Sequence, residues 1–102
     1  MQPKTNTNHE QAITRFPLGQ TFITPGAEEA LMIAGQTAIE FLRRHMSLDS
    51  DELSDEDMSE NELSLREGFR VLSAFRTTPG QRLWIITEAD RSSTTILLPS
   101  EY

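Results

Sequence analysis

Cysteine is absent from this sequence. That excludes disulfides and suits a reducing compartment. Histidine is scarce, and the two present, His9 and His45, lie far apart. A zinc site needs three or four ligands at suitable spacing, and no such cluster occurs. There is no glycine-rich phosphate loop, and none of the serines sits in a nucleophile elbow. No apolar run approaches the roughly 20 residues a spanning helix requires. The opening residues, MQPKTNTNHEQ, lack the apolar segment of a secretory signal. These absences lead to the expectation of a cytoplasmic protein without metal, cofactor or membrane anchor, and of a binding protein rather than an enzyme.

Basic residues are missing from one stretch in particular. Residues 49–62, DSDELSDEDMSENE, carry eight acidic side chains and no Lys or Arg. The chain has 16 acidic and 9 basic residues, a net charge of -7, so the remainder holds eight acidic against nine basic. All of the excess negative charge therefore lies in one segment. Such a block repels phosphates, which argues against nucleic acid as a direct ligand. It attracts a basic protein surface instead. The candidate contacts are Asp49, Asp51, Glu52, Asp55, Glu56, Asp57 and Glu60. A calcium loop starting at Asp49 would place Asp51 third, Asp57 ninth and Glu60 twelfth. It would also put Leu53 fifth, Ser54 where the sharp turn needs glycine, and Glu56 eighth. The pattern fails, so a solvated helix start is expected.

At 102 residues the chain is one domain, long enough to bury roughly two-thirds of its unfolded surface. Residues 1–15 read as a disordered tail and 16–102 as the domain. The fold class is α+β: a short N-terminal strand, two helices, then a three-stranded antiparallel β-meander. A strand is expected after Pro17. Thr24 and Pro25 then start a helix over 25–45, with Glu28 and Glu29 at its positive end. Leu31, Ala34, Gly35, Ala38, Phe41, Leu42 and His45 share its inner face. Gly35 is expected in mid-helix at a close packing contact, and His45 as a cation in the last turn. A second helix over about 54–67 begins with a capping pair, Ser59 with Glu62 fitting better than Ser54 with Asp57, and stops at Gly68.

Alternation over Phe69–Arg76, Leu83–Glu88 and Thr94–Leu98 gives the meander. Pro79 and Gly80 are expected at the centre of the first turn and D-R-S-S in the second. The expected core is Leu31, Ala34, Ala38, Leu42, Val71, Phe75, Leu83, Ile85, Ile96 and Leu98. The second hairpin also gathers Glu88, Asp90, Arg91, Thr94 and Thr95. These could form a small enzyme or anionic-ligand site, with Arg91 as anchor and a carboxylate as base. Ordinary turn chemistry and cross-strand pairing explain them better and are preferred. Trp84 stands on the sheet face away from Leu83 and Ile85. Two helices leave that face short of cover, so a homodimer or a docked partner is expected there.

Several stretches taken together resemble one family: PLGQ, ITPGAEEAL, EFLRRH, LSDED, NELSLREGFRVLSAFRT and WIITEADRSSTTILLPSEY. It comprises short proteins of bacterial plasmids and other mobile elements, some labelled type I restriction endonuclease subunit M. The likeness spans residues 16–102. Where the family reads Gly-Asp-Trp-Gly, this chain has Leu48-Asp49-Ser50-Asp51, and only Asp49 agrees. The restriction label does not suit a chain too short for a methyltransferase cofactor domain. The resemblance implies a bacterial, cytoplasmic setting near mobile DNA, where the basic partner would be a host defence or DNA-binding protein.

Overall fold

The structure, a computed structural model, describes residues 14–50 and 53–102. The expected tail therefore lies almost wholly outside the described residues, as do Asp51 and Glu52. The first element is a short strand, β1 (Gln20–Ile23), which leads directly into α1 (Pro25–Ala34). Thr24 caps α1 by accepting from the Ala27 N–H, with Pro25 in the first turn as expected. A second cap comes from the far end of the chain. The Glu101 carboxylate accepts from the Gly26 N–H at 3.0 Å and the Leu98 N–H at 2.9 Å. It also accepts from the Thr24 hydroxyl, and these hydrogen bonds hold its pKa below the usual carboxylate range.

The expected single helix over 25–45 is two helices, because Gly35 ends the first. Gly35 adopts φ 66, and α2 (Ala38–Met46) restarts at Thr37, whose side chain accepts from the Glu40 N–H. Gly35 is an exposed helix terminus and not a packing contact: a Cβ there would meet nothing within 4 Å. The third helix, α3 (Asp55–Glu67), is capped by Ser54 and stops at Gly68. Ser59 lies inside the helix, so the Ser54 and Asp57 pair is the start, not the pair with Glu62.

The last third is the meander: β2 (Val71–Arg76), β3 (Arg82–Thr87) and β4 (Ser93–Leu97), followed by a 3-10 turn at Pro99–Glu101. The sheet is nevertheless four-stranded and mixed. Its order is β1-β4-β3-β2, with β1 parallel to β4 and Ile23 beside Ile96. A strand's alternation does not reveal its neighbour, and β1 is too short to declare one. Both turns are shifted from expectation. The Gly80 N–H bonds the Thr77 carbonyl at 2.8 Å, so Thr78 and Pro79 are central and Gly80 follows them. The Arg91 N–H bonds the Glu88 carbonyl at 2.9 Å, which makes Ala89 and Asp90 central.

Helices α1 and α2 cover one sheet face. Ala27, Leu31, Phe41 and Leu42 bury Phe75, Leu83, Ile85 and Ile96 there. A smaller cluster of Phe16, Leu48 and Val71 adjoins it. Of the expected core, Ala34, Ala38 and Leu98 are only half-buried. Phe16, Phe41 and Leu48 belong to it as well. Leu48 has φ 61. Its buried side chain offsets the roughly 1–2 kcal/mol a left-handed residue costs.

The strand β2 lies at one edge of the sheet, and its outward backbone groups are taken up by side chains. Asn61 donates to the Leu72 carbonyl at 2.6 Å and accepts from its N–H at 3.2 Å. The Ser50 hydroxyl does the same for Ala74, at 2.8 Å both ways. These pairs block further strand addition, and the Asn61 pair fixes α3 to the sheet.

Two glycines test the backbone account. At Gly19, φ is +66 and a Cβ would stand 2.4 Å from the Ser92 carbonyl oxygen. Gly19→Ala is expected to cost more than about 2 kcal/mol, against about 1 kcal/mol for Gly35→Ala. Urea unfolding of both variants measures the difference. Equal losses would show that the approach of the 16–19 segment to the β3–β4 turn is unimportant.

Candidate functional site

The most elaborate polar arrangement is buried. His45 is 0 % exposed, and each of its ring nitrogens meets a hydroxyl. Nδ1 lies 2.7 Å from Ser73 Oγ, and Nε2 lies 2.8 Å from Thr87 Oγ1. Thr87 Oγ1 is 2.7 Å from Thr94 Oγ1, which donates to the Leu18 carbonyl at 2.7 Å. A carbonyl oxygen only accepts, and that sets the direction of each proton from Leu18 back to the Nε2 of His45. Thr94 donates to Leu18, so Thr87 donates to Thr94, and His45 donates to Thr87 from Nε2–H. Nδ1 is then the acceptor for Ser73. The chain thus fixes Nε2 as a donor, and because burial keeps the ring neutral, His45 is the Nε2–H imidazole.

Burial depresses its pKa to about 4, and the positive charge of Arg91 adds to the effect. The expected helix-terminal cation is therefore a neutral structural hub. Phe16 packs edge-on against its ring, at 5.1 Å between centroids and 88°. Ser73 and His45 resemble a nucleophile and base by distance alone. Both are 0 % exposed, so no substrate reaches them.

The hairpin cluster does not converge. The Arg91 guanidinium donates to the carbonyls of Phe69 (2.6 Å), Glu88 (3.1 Å) and Ser64 (3.2 Å). It closes the C-terminal end of α3 and ties it to the turn. Asp90 accepts from the Ser92 N–H at 3.0 Å, and hydrogen bonds from Ser92 lower its pKa. Thr94 is buried in the His45 chain, while the next residue, Thr95, faces the opposite side of the sheet. Glu88 is exposed. Five residues close in sequence have five separate placements.

The acidic residues divide similarly. Asp49 accepts from Arg44 Nε at 3.2 Å and belongs to the end of α2. Asp55, Glu56, Asp57 and Glu60 are exposed on the first two turns of α3. None of these four carboxylates takes part in an ion pair among the described residues. Glu62, on the same helix, binds Arg15 through two hydrogen bonds of 2.8 and 2.9 Å. At about 100° per residue, Glu56, Asp57 and Glu60 fall within one arc of the helix surface.

That arc borders the second face of the sheet. Leu72, Ala74, Trp84, Ile86 and Leu97 point there, away from α1 and α2. The C-terminus folds over part of it: Tyr102 packs on Trp84 with centroids 5.6 Å apart, and Arg70 donates to the Tyr102 hydroxyl at 2.7 Å. Trp84 stays half-buried, and Tyr102 is 71 % exposed. Among the described residues, no group of three His, Asp or Glu side chains is placed to hold a metal ion. No helix is long and apolar enough to cross a membrane, again among the described residues.

No protein-family model, curated protein or solved structure matches this chain. The sequence could have shown where the acidic helix begins, since Ser54 and the run of carboxylates mark it. It could not have shown the His45 chain, whose partners are 28 and 42 residues away.

Proposed function

We propose that this protein is a non-enzymatic binding module that presents the acidic surface of α3 to a basic surface of another protein. The observation that carries the reading is the fixing of α3 together with its uncompensated charge. Asn61 and Arg91 anchor the helix to the sheet and the turn. Asp55, Glu56, Asp57 and Glu60 meanwhile are exposed and take part in no ion pair among the described residues. Charges held on a fixed scaffold present one pattern to a partner and lose little entropy on binding. The resemblance to plasmid and mobile-element proteins directs the search to bacterial cytoplasm, among host defence and DNA-handling proteins with basic faces.

The test is capture from a bacterial lysate, comparing the natural chain with one carrying Asp55→Asn, Glu56→Gln, Asp57→Asn and Glu60→Gln. The natural chain is expected to retain a basic protein that the neutralised chain loses, and that salt releases within the range where surface charges are screened. An identical set of retained proteins for both chains would exclude the reading.

A further inference from the structure

The acidic helix and the aromatic sheet face are two walls of one groove, and this deepens the proposed function while resting on it. Three adjoining depressions of about 200, 280 and 240 Å³ all include Leu72 in their lining. Asp57 and Glu60 form the wall contributed by α3, and Trp84 and Ile86 continue the floor. Tyr102 closes the far end, and Arg70 stands between that end and the acidic wall, lining both depressions. The floor is apolar and the wall from α3 is anionic, with Arg70, bonded to the Tyr102 hydroxyl, and Arg82 at its margins. Asp57 and Glu60 take part in no ion pair among the described residues.

We infer that this groove receives a basic amphipathic segment of a partner protein. Its apolar side chains would rest on Trp84 and Leu72, and its Lys or Arg side chains would face Asp57 and Glu60. Two observations select this occupant. An apolar side chain alone would leave the acidic wall facing a low-dielectric contact without a counter-charge, at a desolvation cost. A second copy of this chain would bring two acidic helices together, since all of the excess charge of the -7 chain lies in residues 49–62. A basic segment with an apolar stripe satisfies both surfaces, in the manner of a helix laid in a groove.

The experiment uses the full chain and labelled Leu/Lys peptides of about 14 residues, four helical turns. One peptide has leucines at i, i+3, i+4 and i+7; a second has the same composition with no apolar stripe. Fluorescence anisotropy is expected to show the striped peptide binding at least about tenfold tighter. Binding should weaken about tenfold in Trp84→Ser, in Leu72→Lys and in the Asp57→Asn, Glu60→Gln pair, each checked for a cooperative melt. Glu28→Gln with Glu29→Gln, on α1, should leave it unchanged. Trp84 fluorescence of the natural chain supplies a reading without any variant: it should shift to the blue and become less accessible to acrylamide as unlabelled striped peptide is added.

Equal affinity for both peptides, sensitive to the α3 carboxylates but not to Trp84 or Leu72, would overturn the groove and leave the acidic-surface reading standing. Binding indifferent to the carboxylates would remove both. A twofold mass by light scattering, with Trp84 already shielded in the absence of peptide, would assign the face to a second copy and overturn the inference.

Discussion

His45→Ala is expected to destabilise the fold by about 3–5 kcal/mol, the range for a large buried side chain whose removal also leaves polar groups unpaired. For a domain of this size that lowers the melting temperature by roughly 20 °C. Two costs combine. The ring is 0 % exposed and packs against Phe16, so its loss opens a cavity. It also leaves the hydroxyls of Ser73 and Thr87 without their imidazole partner in the interior. Thr87 still reaches Thr94, so the Ser73 side of the chain suffers more. His45→Phe separates the two costs, because it restores most of the volume and none of the bonding. Thermal unfolding followed by circular dichroism measures both variants. A loss below about 1 kcal/mol for His45→Ala would mean that the hub is not structural.

Stability is expected to fall by about 3 kcal/mol as pH is lowered from 6.5 to 4, through His45 alone. The sign follows from the direction of the shift. The folded pKa is depressed to about 4 from an ordinary 6.5, so the unfolded chain binds the proton more tightly. The contribution is fully present above pH 6.5, is lost progressively below it, and is exhausted below about 4. Protonation places a charge in a buried site beside the field of Arg91. It also forces Nδ1 to donate to Ser73, reversing that bond. Glu62, Asp90 and Glu101, whose pKa values are lowered by their hydrogen bonds, act in a more acidic window. Urea unfolding at intervals of pH, with His45→Gln as reference, isolates the histidine. A flat profile between 6.5 and 4.5 in the natural chain would contradict the neutral assignment. Nitrogen chemical shifts of the imidazole at neutral pH provide an independent check, because an Nε2–H tautomer is the one compatible with the Leu18 carbonyl at the end of the chain.

The local signals in the sequence located most of the elements. Thr24-Pro25 and Ser54 mark two helix starts, Gly68 marks a stop, and the alternation through 71–97 marks three strands. Gly35 was also a readable stop. Followed by Thr37 and Glu40, it has the pattern of one helix ending and another beginning, but the apolar spacing across 25–45 masked the break. What was not readable is non-local. The parallel pairing of Gln20–Ile23 with β4 depends on the route of the intervening chain. The neutrality of His45 depends on residues of β2, β3 and β4 that converge only after folding. The same holds for the hairpin cluster. Glu88 to Thr95 are neighbours in sequence, yet Arg91 is occupied by carbonyls of α3 and its turn, and Thr94 is turned into the core. For the acidic segment, composition located the charge. Folding assigned it: Asp49 and Glu62 are paired, while Asp55, Glu56, Asp57 and Glu60 remain available.

The central claim is that a partner meets this protein on α3. Zero-length carbodiimide coupling of the captured complex tests it directly, because it joins a carboxylate to a partner lysine only where the two already touch. Mass spectrometry of the digested product is expected to find the joined residues among Asp55, Glu56, Asp57 and Glu60. Joined residues confined to Glu28, Glu29, Glu40 or Glu88 would place the partner elsewhere on the molecule and contradict the account.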